Sequence, residues 1–240
     1  MGEVLALVEP ERLEFRKYEE KTLEAGEVRV KTLYSGISAG TELSSYHGDN
    51  PHLNKSWNSD LRIFEDQKNE SKNYPITDWG YEEVGEVIEL GAEVEEVEIG
   101  DTVYGTWGHR TTAVLSEDFA VDHRLPETAD PIYGIFSHIG SIALNAILDA
   151  DIHVGETVAV FGQGVPGQIV SQLAKLNGAE VIALDLNPER LETAKKMGAD
   201  IVLNPAETDP AKKIKKMTGG RGADLSIEIS GSLKALHQAI

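Results

Sequence analysis

Apolar and polar positions fall into two regimes along the chain. Up to about residue 125 the apolar runs are short, alternate with polar residues and are cut by glycine turns. Beyond about 132 they alternate with stretches of helical spacing. In the first regime 4–8 (VLALV) and 13–15 (LEF) predict a hairpin, and 28–34 (VRVKTLY), after the Gly26 turn, predicts a strand. Residues 35–48 read as a small-residue loop leading into a short helix. Residues 49–78 are polar, hold Pro51 and Pro75, show no clear period and read as a long surface loop. The runs 81–90, 94–99, 102–105, 113–115 and 119–121 predict short antiparallel strands, the pattern of a small β-barrel. These residues, 1–125, make the expected first domain, closed by Leu125 and Pro126.

The second domain, 126–240, opens with a helix over 132–150, whose apolar stripe is Ile135, Ile139, Ile142, Ala143, Ala146 and Ile147. Strand and helix then alternate: strands at 158–161, 181–184, 201–203 and 224–229, helices after each. This is α/β alternation with a doubly wound parallel sheet, giving a fold class of α/β plus β. In the order 3-2-1-4 the fourth strand would be left as an apolar edge. The expectation is a fragment, or a second chain covering that edge.

The first strand of that alternation runs into Gly162, Gln163, Gly164, Val165, Pro166 and Gly167, then a helix, a second strand and Asp185. Strand, glycine turn, helix, strand, acid is the order that a dinucleotide-binding unit requires. The first glycine allows the turn, the second lets backbone approach a pyrophosphate, and the third lets helix pack on strand. Val165 and the turn amides face the phosphates at the helix start. Pro166 withholds one amide there. Asp185 stands where a carboxylate accepts from an adenosine ribose and repels a 2′-phosphate, so NAD is expected ahead of NADP.

Charge changes the picture in one respect. The 240 residues carry 41 acids against 22 bases, a formal net charge of -19. Such a surface repels nucleic acid and anionic membrane. No apolar run reads as long enough to span a bilayer, and the N-terminus lacks the pattern of a signal peptide. The expectation is a cytoplasmic protein without nucleic-acid or membrane partners. The chain has no cysteine, which excludes disulfides, thiolate catalysis and cysteine-ligated metal.

Both halves together resemble the medium-chain dehydrogenase/reductase family, the zinc alcohol dehydrogenase relatives. The residues that carry the resemblance are GEVRVK at 26–31, the loop 35–47, WGYEEVGEV at 79–87 against the family's GHExxGxV, and GDTV at 100–103. The resemblance implies a GroES-like barrel followed by a Rossmann domain, and hydride transfer between NAD(H) and an alcohol or carbonyl substrate such as a sugar or polyol. It also implies a homo-oligomer. It places Ser38 and Tyr81 where the family has a cysteine and a histidine as zinc ligands. Glu82 is retained and His138 stands at the later ligand position. A rebuilt metal site would use Glu82 and His138 with His109 or His47; otherwise no metal is held. Thr41 aligns with the proton-relay hydroxyl, leading to His47, and is equally readable as a helix N-cap. Without zinc, Tyr81 or Glu82 would polarise the carbonyl. A metal-free alkene or quinone reductase, and a non-catalytic nucleotide-binding relative, stay open.

Overall fold

The computed structural model describes residues 1–50, 53, 55–66 and 74–240. They form two compact units, Met1–His138 and Ile139–Ile240.

In the first unit, β1 (Gly2–Glu9) and β2 (Arg12–Tyr18) form the expected hairpin, with Leu5 opposite Phe15. β3 (Glu27–Ser35) follows, then α1 (Thr41–His47), which ends at Gly48 in a left-handed conformation, φ 79°. A small hairpin, β4 (Lys55–Asn58) and β5 (Ile63–Asp66), precedes β6 (Glu83–Leu90), β7 (Thr102–Gly105) and β8 (Thr112–Ser116). The main sheet runs β7-β6-β3-β8, all antiparallel. Bridges from Val4 to Arg110 and from Leu7 to Ile76 tie β1 to the rest, so the strands curl as a half-barrel. Its core is Val28, Val30, Val87, Val97, Val103 and Ala120. α2 (Glu117–Asp122) and a 3-10 turn, Pro131–Phe136, follow.

The second unit is the parallel sheet. α3 (Ser137–Ala150) leads to β9 (Thr157–Phe161), α4 (Val165–Leu176), β10 (Glu180–Leu184), α5 (Pro188–Lys196) and β11 (Ile201–Leu203). Then come α6 (Pro210–Met217), β12 (Leu225–Glu228) and α7 (Leu233–Ala239). The order is β11-β10-β9-β12, the first four strands of a doubly wound sheet. Alternation divides the strand residues between two faces. Val158, Val160, Val181 and Ala183 meet Ala143, Ile147, Val170 and Ala174. Ala159, Phe161, Ile182 and Leu184 meet Leu203 and Ile214. The helices begin where capping side chains stop the strand-to-helix loops: Asn187, Asp209 and Ser232 each accept a first-turn amide.

Five local expectations are corrected. Residues 49–78 are not all loop, because β4 and β5 pair across Trp57 and Phe64, whose rings lie 5.0 Å apart, and Asn58 Oδ1 accepts the turn amides of Asp60 and Leu61. The remainder of that stretch, 51, 52, 54 and 67–73, lies outside the described residues. Residues 94–99 form no strand: the amides of Glu95 and Glu96 donate to the Glu117 carboxylate instead of a ladder. Residues 119–121 are helical in α2, since Ser116 caps Phe119 N and two acids occupy the first turn. In α3 the buried face is Ile139, Ala143 and Ile147, while Ile142 is 46% exposed. Finally, Pro131–Ala150 spans 20 residues of mean hydropathy 1.4, long and apolar enough to cross a membrane by length and composition. Its α-helical part is 14 residues, about 21 Å at the usual rise, and one side of it is core.

Asp200 joins α4 to the start of β10. It accepts from Lys175 Nζ at 2.6 and 2.8 Å and from Val181 N at 2.8 Å. Burial alone would raise its carboxyl; the ammonium and the amide outweigh that and hold it below the usual range. A lowered folded value gives stability that is present above the unfolded value and lost as pH falls through the folded one. Asp200→Asn therefore costs about 1 kcal/mol at neutral pH, after solvent screening, and almost nothing at about pH 2. Urea unfolding at both pH values checks this; an equal cost at both refutes it.

Candidate functional site

Two groups of expected site residues can be placed, one in each unit. In the parallel-sheet unit the turn between β9 and α4 is built by glycine for two distinct reasons. Gly162 has φ +99°, and a Cβ there would lie 2.8 Å from Ser230 backbone atoms. A Cβ on Gly167 would sit 1.9 Å from the Gly162 carbonyl oxygen, so only glycine lets α4 start that close to β9. Gly164 differs. Its φ is -68°, and a Cβ would meet only Pro166 Cδ at 3.9 Å. The fold does not require glycine there, and the missing side chain leaves the backbone open to approach.

Asp185, at the tip of β10, turns its carboxylate toward this turn. Oδ2 accepts from Gln163 N at 2.7 Å and Oδ1 from Asn187 N at 2.8 Å; Arg190 Nη1 stands 3.9 Å away. Gly162, Asp185, Asn187, Arg190, Ser230 and Lys234 line a cavity of about 620 Å³ at the C-terminal ends of the strands. Val165 opens α4 as an exposed residue and Pro166 takes its first turn. The cavity, a free glycine edge and a helix N-terminus suit the adenosine diphosphate part of a nicotinamide dinucleotide.

In the first unit the Tyr81 hydroxyl donates to Ser38 Oγ at 2.5 Å and lies 3.3 Å from Thr41 Oγ1. His138 packs edge-on against the Tyr81 ring at 4.9 Å. Thr41 is not a cap: Gly40 holds that position and no side chain serves it. A phenol has one proton. Donated to Ser38, it leaves the phenolic oxygen to accept from Thr41, and the Ser38 proton has no acceptor among the described residues. The site therefore presents one free hydroxyl donor, on Ser38. His47 is not brought to Thr41. At the end of α1 its Nδ1 faces Glu11 Oε1 at 3.2 Å. Glu82 is buried against Gly36, and burial, then the charges of Glu42 and Glu83, push its carboxyl up.

Behind the hydroxyls lies a chain that the sequence reading missed apart from His109. His109 Nε2 meets Glu42 Oε2 at 2.6 Å, and its Nδ1 meets Ser35 Oγ at 2.6 Å. Ser35 meets Glu83 Oε1 at 3.0 Å, and Gly108 N donates to Glu83 Oε2 at 3.1 Å. Ser35 has one proton, so with a proton on His109 Nε2 two arrangements satisfy every partner. Either His109 is an imidazolium and Ser35 donates to an ionised Glu83, or Glu83 is protonated, donates to Ser35, and Ser35 donates to Nδ1. Burial, the largest influence on Glu83, raises its carboxyl. The available sequence signal was an acid, Glu83, at an inward position of a valine-rich strand.

The zinc that the resemblance implies does not fit these donors. Serine and phenol oxygens are poor ligands beside thiolate and imidazole, and here they are bonded to each other. Both His109 nitrogens are taken, and His47 faces Glu11. No group of three His, Asp or Glu side chains among the described residues is arranged to hold a metal ion.

Against known proteins, residues 24–155 match the alcohol dehydrogenase GroES-like domain and residues 166–240 match the zinc-binding dehydrogenase family. D-guloside 3-dehydrogenase of Escherichia coli is 31% identical over 232 residues, covering 93% of this chain and 65% of that protein. (R,R)-butanediol dehydrogenase of Bacillus subtilis is 31% identical over 256 residues, covering 92% and 68%. The crystal structure of 2R,3R-butanediol dehydrogenase from Bacillus subtilis superposes with a TM-score of 0.78 at 26% identity, over 100% of this chain and 73% of that one. An Escherichia coli oxidoreductase of unknown specificity shares the fold with a TM-score of 0.81 at 21% identity, over 99% and 73%. The chain thus spans about two thirds of the length of these relatives. With a half-barrel followed by a glycine-turn parallel sheet, and both family models matched in that order, the chain belongs to the medium-chain dehydrogenase/reductase family of zinc-type alcohol dehydrogenases.

Proposed function

We propose that this chain acts as an oxidoreductase that passes a hydride between NAD(H) and the C–O carbon of a small alcohol or carbonyl compound, a sugar or polyol by the kinship with D-guloside and butanediol dehydrogenases. The observation that carries the reading is the 620 Å³ cavity lined by Gly162 and Asp185, whose carboxylate holds Gln163 N of the same glycine turn that Gly164 leaves open. Bound nicotinamide supplies the hydride chemistry. The chain supplies the grip: Gly162, Gly164, Val165 and Gly167 form the phosphate turn, with Pro166 withholding one amide, and Asp185 takes the ribose. On the substrate side Ser38 donates its free hydroxyl proton to the substrate oxygen, backed by Tyr81 and Thr41 in the same run of hydroxyls, and neighbouring Glu82 adds a carboxyl that burial keeps ready to protonate. His47, tied to Glu11, stands apart from these hydroxyls. His138 walls the Tyr81 ring. No metal takes part, and the full-length protein is a cytoplasmic homo-oligomer. The domains divide near residue 125.

NADH fluorescence tests the reading. Binding without turnover over alcohol, sugar and aldehyde panels would leave a nucleotide-binding relative; no binding at millimolar NADH removes the reading altogether. A second reading, metal-free reduction of an activated alkene or quinone, is favoured by the same hydroxyl donor, and its substrates belong in the panel.

Cofactor choice gives a further expected result. The Asp185 carboxylate repels a 2′-phosphate, so NADH binds about 10-fold tighter than NADPH. In Asp185→Asn, which keeps an acceptor for the turn amides, Arg190 is left without its counter-charge and the preference falls toward one. Equal affinities in the parent protein, measured by titration, would contradict this.

A further inference from the structure

The Glu42–His109–Ser35 chain takes no part in the reaction just described, yet it is buried more deeply than the hydroxyls in front of it. The side chains of His109, Glu42 and Glu83 are 6%, 5% and 0% exposed. Placing such groups in the interior costs several kcal/mol per ion unless each is paired. Here each is paired, and the pairs converge on one loop. Ser35, where the loop leaves β3, meets His109 Nδ1. Glu42, where α1 takes over, meets Nε2 through Oε2. Between them the Ser38 amide donates to the other Glu42 oxygen, Oε1, at 2.8 Å. The start, middle and end of the eight-residue stretch 35–42 are therefore pinned to a single imidazole. The residues so pinned include Ser38 and Thr41, whose hydroxyls meet Tyr81. The imidazole is itself fixed edge-on to Trp79, with ring centroids 5.1 Å apart, and the Trp79 indole donates to Leu5 O at 2.7 Å.

We propose that His109 is a positioning residue: with Glu42 it sets the 35–42 loop so that the Ser38 and Thr41 hydroxyls converge on the Tyr81 hydroxyl, forming a three-hydroxyl cradle for the oxygen of an alcohol or carbonyl substrate. What the cradle receives rests on the oxidoreductase reading; how the cradle is placed does not. Its geometry depends on a carboxylate held by two donors at once, an arrangement in which losing one donor frees the carboxylate to rotate off the other.

The test uses the full 240-residue chain with ring-labelled tyrosine, the Tyr81 resonances being assigned by their loss in Tyr81→Phe. His109→Ala removes both links. His109→Gln keeps a donor toward Glu42, and Glu42→Gln keeps an acceptor for Ser38. In His109→Ala the Tyr81 resonances move to where Ser38→Ala places them; in His109→Gln they return part of the way. NADH affinity stays within about twofold, because the nucleotide turn is built by other residues. With NAD+ and 2,3-butanediol as the probe pair, kcat falls about 100-fold in His109→Ala while the KM for NAD+ is unchanged. Should His109→Ala fail to fold, His109→Gln and Glu42→Gln carry the comparison. Tyr81 resonances that stay in place in the folded His109 and Glu42 variants overturn the proposal, whatever happens to kcat. Resonances that move, in a protein that turns over no member of the substrate panel, leave the positioning role intact and remove the oxidoreductase reading.

Discussion

Gly164→Val will fold and yet bind NADH about 100-fold more weakly than the parent, a loss of about 2.7 kcal/mol. The backbone at Gly164 is extended, with φ -68° and ψ -173°, and valine adopts it without strain. A Cβ there finds open space on the protein side. The structural cost is confined to a poorer N-cap for α4, about 1 kcal/mol. What valine does fill is the approach to the turn amides, where a pyrophosphate oxygen must come within hydrogen-bond distance. Gly167→Ala is the contrasting variant. Its Cβ would overlap the Gly162 carbonyl at 1.9 Å, so it disrupts the β9–α4 joint and lowers stability and binding together. Isothermal titration with NADH, alongside urea unfolding, separates the two. Undiminished binding in Gly164→Val places the nucleotide elsewhere and ends the dinucleotide reading of this turn.

The contrast also shows what could be read without coordinates. The glycine turn, the parallel order and the acid at the tip of β10 were legible because each is a local demand: a positive φ, a close approach, a strand end. The helix α2 was not, because Phe119, Ala120 and Val121 are as apolar as a strand. The deciding features were a capping serine and two acids just before them. The 94–99 segment failed similarly: its two valines do pack on the core, Val97 being 3% exposed, but a distant carboxylate takes the amides that a ladder would need. The substrate-side hydroxyls were half legible. Ser38, Thr41 and Tyr81 could be named by alignment with a motif. That their oxygens meet, and that His109 stands behind them rather than beside a metal, depends on residues 67 positions apart, Glu42 and His109, and no sequence spacing encodes that.

His109→Leu will cost about 3–5 kcal/mol at pH 8, because it leaves the Glu42 and Glu83 carboxylates buried without their shared partner. The loss will be smaller at pH 5, and the sign follows from Glu82 and Glu83. Burial raises both carboxyls above their ordinary value. A raised folded value means that their contribution is fully present below the unfolded value and is lost as pH rises through the folded one. In the parent, His109 offsets part of that loss by facing both acids; its attraction lowers the Glu82 and Glu83 carboxyls against the push of burial. Without it the two carboxyls rise further, and the stretch of pH over which stability drains moves up and widens. Leucine fills most of the imidazole volume, so a cavity contributes little and the deficit is electrostatic. Urea unfolding of parent and variant at pH 5 and pH 8 measures it. A deficit below about 1 kcal/mol at pH 8, or one that does not shrink in acid, would mean that the three acids are neutralised by something other than this histidine.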